Sequence, residues 1–179
     1  MADSDNQTKD ASVAFGGSCA CGRIIYTSTS LPTSSHACHC EICRELGGGP
    51  FVCYLDVVSK DVTFSDSKEH LHYEGLPKDD FGGISFLRFS KMADRAVCAN
   101  CHSPLAMRYH HEEGIGLTLG TVDESTIRDD EVRKALKPMS HIFTSQKTWW
   151  FDPNDGLPMH ERFTGDFEQA IKVSEGKEG

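Results

Sequence analysis

The chain has 179 residues, of which 38% are hydrophobic and 25% are charged. This length fits one domain with a real core, and the composition excludes both a disordered tail and a membrane protein. The net charge of −9 argues against a basic nucleic-acid interface, so no nucleic-acid partner is expected. The chain has no membrane-length apolar run and no signal-like N-terminus, which predicts a cytoplasmic location, with a nuclear one as the alternative, and no membrane partner.

Both ends of the chain are polar and have little to bury. Residues 1–14 and 171–179 are therefore predicted to be disordered tails around one domain over 15–170. Within this domain, short segments rich in β-branched and aromatic residues alternate with Gly, Pro, Asp and Asn, which predicts a mainly β fold with minor helix. The predicted strands lie at 23–30, 51–58, 61–65, 70–74, 84–90, 95–98, 105–111, 115–122 and 141–145.

Helical signals are few. One helix is predicted over 123–137, because acidic residues crowd its start, Lys and Arg crowd its end, and Pro138 stops it. A short helical turn is predicted after Cys40, before the glycines at 47–49 release the chain.

The segment DPNDG at 152–156 predicts a turn between two strands at 147–151 and 157–163. In such a hairpin Trp149 and Trp150 would lie on opposite faces, one packed in the core and one facing outward. Either tryptophan is also a candidate for the wall of a binding pocket.

The eight cysteines carry the strongest functional signal. Without a secretory signal, this number indicates metal or redox chemistry before disulfides. Cys19 and Cys21 have a spacing at which two thiols of a strand share one face, and Cys98 and Cys101 have the C-x₂-C spacing of a zinc knuckle. The two pairs together predict one four-cysteine metal site, and buried core cysteines are the alternative.

A third cluster places Cys38, Cys40 and Cys43 in one short segment. Three protein ligands leave the fourth tetrahedral position open, as in catalytic zinc sites, and a structural site closed by a distant His or Asp is the alternative. Alternation turns His39 away from these thiols, so it is interpreted as a packed or solvated residue. Cys53 lies in an apolar strand and is interpreted as a core residue.

Four segments together resemble one protein family, that of the glutathione-dependent formaldehyde-activating enzyme and centromere protein V. The resemblance extends over about 15–165 and rests chiefly on the combined cysteine spacings. The segments are GGSCACGRIIY at 16–26, CHCEICRELGG at 38–48, CANCHSPL at 98–105 and HIFTSQKTWWFDPNDGLP at 141–158.

The resemblance implies a β-tent fold of stacked antiparallel sheets with two zinc ions per chain. The characterised activity in the family joins glutathione to formaldehyde, giving S-(hydroxymethyl)glutathione, and is classed as a carbon–sulfur lyase. The implied ligands are Cys19, Cys21, Cys98 and Cys101 for a structural zinc and Cys38, Cys40 and Cys43 for a catalytic zinc.

Three further residues bear on this interpretation. Arg44 is the candidate for binding a glutathione carboxylate, with a surface ion pair to Glu41 or Glu45 as the alternative. His141 is either a proton shuttle near the open site or a strand histidine with satisfied hydrogen bonds. His102 stands where the family usually has glycine, and His tolerates positive φ better than most residues.

Three functions fit these features. A zinc-dependent lyase acting on glutathione or a similar thiol is favoured by the open three-cysteine site. A non-catalytic zinc module that binds a partner is the alternative. A methionine sulfoxide reductase would need a reactive thiol outside the metal sites, and only Cys53 is available. The expected partner is a small thiol, and the oligomeric state is left open.

Overall fold

The computed structural model of the protein describes residues 13–110 and 113–165. The two short α-helices are α1 (Glu41–Gly47) and α2 (Asp130–Ala135), and single 3-10 turns lie at Ser59–Asp61, Leu119–Thr121, Glu124–Thr126 and Thr144–Gln146. The strands are β1 (Phe15–Ser18), β2 (Ile24–Ser28), β3 (Ser34–Cys38), β4 (Val52–Val58), β5 (Val62–Asp66), β6 (Leu71–Glu74), β7 (Ile84–Leu87), β8 (Ala93–Cys98), β9 (Pro104–Tyr109), β10 (Gly114–Thr118) and β11 (Ser140–Ile142).

These strands form two sheets. The smaller sheet has the order β1-β2-β5-β6, and the larger one has the order β11-β3-β4-β10-β9-β8-β7. Neighbouring strands are antiparallel, except that β11 runs parallel to β3. The mainly β class with stacked antiparallel sheets is therefore confirmed. The predicted disordered tails fall almost entirely on 1–12 and 166–179, which lie outside the described residues.

The main hydrophobic core lies between the two sheets, and we call the side of the larger sheet that contributes to it the inner face. A second, smaller apolar cluster lies on the opposite side, the outer face. The main core includes Phe15, Ile24, Tyr26, Val62 and Phe64 from the smaller sheet and Leu55, Val57, Leu105, Ile115 and Leu117 from the larger. The outer cluster contains Cys38, Cys43, Val52, Tyr54, Ala93, Met107 and Ile142.

Two strands form where the sequence predicted none. β1 is FGGS and β3 is SSHAC, and neither has a run of β-branched or aromatic residues. Each is stabilised by its pairing, β1 with β2 and β3 with both β4 and β11. Such pairing replaces local propensity as the determinant of strand structure.

The predicted helix over 123–137 is wrong in extent. A 3-10 turn forms at Glu124–Thr126 and α2 begins only at Asp130. The two elements are separate because Asp123 caps the first through Ser125 N and Asp129 caps the second through Val132 N, at 2.9 Å in both cases. The predicted helical turn after Cys40 is confirmed as α1. Neither described α-helix has the length and apolarity needed to cross a membrane.

The predicted hairpin around 152–156 is also wrong. Residues 147–158 form turns and irregular structure, with side chains of Trp149 and Trp150 that are 91% and 57% exposed. The chain instead returns to β11, where His141 N donates to Pro158 O at 2.8 Å and His160 N donates to His141 O at 2.8 Å. The β-bridge between His141 and Met159 is parallel, and a tight turn cannot connect two parallel segments.

Gly17 is a position at which the packing of the two layers can be tested. A Cβ atom here would meet the Thr121 carbonyl oxygen and the Tyr26 hydroxyl, whereas one at Gly120 would meet nothing within 4 Å. We expect Gly17→Ala to lower the free energy of unfolding by about 1–3 kcal/mol, as overpacking does. Urea unfolding measures the effect with Gly120→Ala as the control, and equal stability of the two variants would contradict this packing.

Candidate functional site

The first candidate site is a cluster of four cysteines where two turns meet. Cys19 and Cys21 lie in the β1–β2 turn, not within a strand as the spacing suggested, and Cys98 and Cys101 lie at the β8–β9 turn. All four Sγ atoms are within 4.8 Å of one another. The Cys19–Cys21 and Cys21–Cys98 sulfur distances are 3.5 and 3.8 Å, close to the ~3.8 Å that a tetrahedral zinc with ~2.3 Å bonds requires.

Backbone N–H groups point at the sulfurs of this cluster. Ile24 N donates to Cys19 Sγ at 3.2 Å, and Asn100 N donates to Cys98 Sγ at 3.4 Å. Such bonds favour the thiolate form. His102 closes the knuckle at φ 61°, with its N–H donating to Cys98 O at 2.9 Å, so histidine occupies the left-handed conformation in which glycine is usual.

The thiols of Cys19 and Cys101 differ in how easily they ionise. Burial raises the pKa of Cys19 to about 12. At Cys101 burial acts in the same direction, but hydrogen bonds from Ser103 outweigh it and lower the pKa to about 5. A bound cation is therefore required for all four sulfurs to carry negative charge together.

The second candidate site is built on the end of β3 and the start of α1. Cys40 is the N-cap of α1 and its Sγ accepts from Cys43 N at 3.4 Å. This cap folds Cys43 back toward Cys38, and the three Sγ atoms lie within 4.8 Å of one another. Cys38 and Cys43 are buried and Cys40 is half-buried. Among the described residues, no fourth Cys, His, Asp or Glu joins the group, so a fourth ligand position is left over.

The three thiols strongly affect one another's ionisation. Hydrogen bonds with Cys40 and Cys43, together with burial, raise the pKa of Cys38. Hydrogen bonds with Cys38 and Cys43 lower the pKa of Cys40. One thiolate forms readily, and further ionisation in this buried group requires positive charge nearby.

Two outer-face residues that the sequence did not identify contact this cluster. The Tyr54 hydroxyl lies 3.7 Å from Cys43 Sγ. Burial raises the pKa of Tyr54 well above its usual range. Arg95 is 6% exposed. Burial lowers the pKa of Arg95, but Cys43, Tyr54 and Cys40 together outweigh that effect and the net shift is upward. An arginine in the otherwise buried strand ADRAVC was the available signal.

A cleft of about 810 Å³ opens on the outer face beside the three-cysteine cluster. Met107, Tyr109 and Ile142 line it and also pack against the cysteines. Its polar groups include His36, whose Nδ1 lies 3.2 Å from Asp56. The three cysteines are not themselves among the residues that line the cleft, and these shared apolar residues are its link to the cluster.

His141 is placed away from the cleft. It pairs with Ala37 in the β3–β11 ladder, so its side chain lies on the face opposite Cys38. It is buried, with Nδ1 2.8 Å from His39 Nε2 and Nε2 3.0 Å from Asp155 Oδ2. Its hydrogen bonds are thus satisfied, and His39 is buried behind the three cysteines without joining them.

Arg44 lies on α1 and is not among the residues that line the cleft. Its Nε donates to His39 O at 3.2 Å. The ion pairs of the described residues do not include one between Arg44 and Glu41 or Glu45. Arg44 therefore supports the backbone between Cys38 and Cys40 directly.

Cys53 remains outside both clusters, on the face of β4 opposite Tyr54. Burial raises the pKa of its thiol to about 11. Such a thiol lacks the thiolate character that a redox nucleophile needs, which argues against the reductase alternative.

A mainly β chain that gathers seven of its eight cysteines into a four-sulfur and a three-sulfur cluster has the construction of a metal-binding protein. The model of the family described as glutathione-dependent formaldehyde-activating enzyme matches residues 14–146, and the chain belongs to this family. The chain is also similar to a Rhodobacter sphaeroides protein of known crystal structure, at 15% identity and a TM-score of 0.46 over 61% of this chain and 88% of that one. No curated protein matches the chain.

The four-cysteine cluster joins segments 77 residues apart, so losing one sulfur should loosen both sheets. Structural zinc contributes about 10 kcal/mol in small zinc domains. We expect Cys98→Ser to give unfolded or aggregated protein, whereas Cys53→Ser, the matched control outside both clusters, should fold. Circular dichroism and thermal melting report the outcome, and a normally melting Cys98→Ser protein would show that this cluster is not structural.

Proposed function

We propose that the protein is a zinc-dependent carbon–sulfur lyase that acts on the adduct of glutathione, or a similar thiol, with a small aldehyde such as formaldehyde. The observation that carries this proposal is the three-cysteine cluster, at which the described residues leave a fourth ligand position over. Family membership supports the glutathione and formaldehyde chemistry. The four-cysteine cluster would hold a second, structural zinc.

The residues suit zinc at both sites, because thiolate ligands at tetrahedral sulfur spacing favour it. When bound by Cys38, Cys40 and Cys43, zinc supplies a lowered pKa for a substrate thiol and polarises a carbonyl oxygen. In the synthetic direction the thiol sulfur forms a bond to the aldehyde carbon. The carbonyl π electrons move to oxygen, which receives the proton that leaves sulfur.

The protein's own groups prepare this step. Cys40 positions Cys43 through the α1 cap, and the Tyr54 hydroxyl lies within hydrogen-bonding distance of Cys43 Sγ. Met107, Tyr109 and Ile142 give the cleft a largely apolar wall near the sulfurs, which limits water. Holding thiol and aldehyde in one small space removes much of the entropic barrier.

The residues behind the site support its geometry. We propose that His141, through His39 and Asp155, holds the segment between Cys38 and Cys40 in place. Arg44 supports the same segment through His39 O, and its remaining guanidinium N–H groups are the candidates for a substrate carboxylate. Eight free cysteines suit a reducing compartment, so we propose a cytoplasmic location, with a nuclear one as the alternative.

The two sites should differ in metal retention, because one offers four sulfurs and the other three. We expect a mild chelator to remove about one zinc per chain first while the protein stays folded. Metal analysis combined with circular dichroism measures this. Simultaneous loss of both metals with unfolding would contradict two independent sites.

Cys40→Ser tests the lyase. We expect turnover of a glutathione–formaldehyde adduct to fall by more than about 100-fold, since loss of a metal ligand should exceed the 10- to 100-fold effect of outer residues. The fold should persist because the four-cysteine cluster is untouched. Cys53→Ser is the matched control and should retain turnover. Full activity of Cys40→Ser would refute the lyase and favour a non-catalytic zinc module.

A further inference from the structure

Arg95 lies in the middle of β8, and its surroundings are the basis of the inference below. It pairs with Met107 of β9, and both side chains lie on the outer face with the three-cysteine cluster. The neighbouring carboxylate, Asp94, alternates to the other face, where it pairs with Arg108 at 3.0 Å. The strand therefore separates the arginine from the nearest acid in the sequence.

Arg95 is a buried cation, and the ion pairs of the described part of the chain include none between it and a carboxylate. Its Nε and Nη1 have no hydrogen-bond partner among residues 13–110 and 113–165, and the residue is only 6% exposed. An uncompensated buried charge is strongly unfavourable. The groups that favour the charged guanidinium are Cys43, Tyr54 and Cys40. Cysteines bind a metal ion as thiolates, so the compensating charge is that of the cysteine sulfurs.

The charge balance at this site then differs from that of three cysteines alone. Three thiolates around a divalent ion carry one net negative charge, which would repel a fourth thiolate. Arg95 cancels that charge. A guanidinium always remains protonated, so this compensation is permanent and does not depend on a substrate or on pH.

We propose that Arg95 is the charge-compensating residue that lets the three-cysteine metal site accept an anionic fourth ligand, such as a substrate thiolate, in preference to a neutral one. The inference rests on the proposed function only in requiring a divalent metal at Cys38, Cys40 and Cys43. The buried guanidinium N–H groups that have no partner among the described residues would donate hydrogen bonds to the incoming anion.

The experiment uses the full chain with Co²⁺ in place of the metal, so that absorption reports ligands at the three-cysteine site. Two anions, 2-mercaptoethanol thiolate and azide, and one neutral ligand, imidazole, are titrated into wild type, Arg95→Met and Arg95→Lys. Arg88→Met is the control, because Arg88 pairs with Asp79 and its side chain is 48% exposed.

In Arg95→Met we expect both anions to bind about 10- to 100-fold more weakly, the range for losing a hydrogen bond to a charged group. Imidazole affinity should change by less than about threefold, because a neutral ligand gains little from the cation. Arg95→Lys keeps the charge and should retain most anion binding. The control should match wild type. This selective loss is the signature of charge compensation, because general damage to the site would weaken all three ligands together.

Equal weakening of anions and imidazole, or unchanged anion binding, in Arg95→Met would overturn the inference. If Arg95→Met does not fold, Arg95→Lys decides: anion affinity within about threefold of wild type supports the inference, and a tenfold loss overturns it. The proposed lyase is judged separately. If azide binding depends on Arg95 but no thiol adduct is turned over by wild type, the charge role stands and the lyase does not.

Discussion

The fold depends on the meeting of two turns at four sulfurs. The β1–β2 turn belongs to the smaller sheet and the β8–β9 turn to the larger, so Cys19, Cys21, Cys98 and Cys101 tie the layers together at one point. The neighbouring ion pair of Arg23 with Asp66, at 2.9 Å, adds a second link from this turn to β5. The glycine-rich β1 contributes little side-chain surface at this end of the core. The four-cysteine cluster closes the space between the sheets there.

The other cluster depends on the two faces of the larger sheet. The inner face is committed to the core, whereas the outer face carries the three cysteines, the cleft and Arg95. Strand alternation separates neighbours in the sequence: Cys38 from His39, and Asp94 from Arg95. As a result, the buried guanidinium of Arg95 lies on the same face as the three cysteines, and the carboxylate of Asp94 lies on the other.

Support for the site comes from behind it. The parallel pairing of β11 with β3 places His141 beside His39, and the irregular segment after it brings Asp155 to the same histidine. Residues 147–158 thus serve the site without forming a hairpin. Trp149 and Trp150 stay exposed, whereas the Phe151 ring packs against Phe51 and His39, at centroid distances of 5.6 and 6.4 Å.

The sequence by itself indicated the class of fold and the three-cysteine cluster, because thiols two or three residues apart must lie close together. It also predicted α1, which Cys40 caps. Each pair of the four-cysteine cluster is local as well, but the meeting of the two pairs across 77 residues depends on the tertiary structure. Only the tertiary structure decided which histidines and cations serve the site. Arg95 lies 52 residues beyond Cys43 in the chain, far outside the window of about 11–18 residues that local patterns cover. Its position relative to the cluster depends on the register of five strands, β3, β4, β10, β9 and β8. Pairing partners likewise determine the conformations of β1, of β3 and of the segment after β11, because cross-strand hydrogen bonds outweigh weak local propensity.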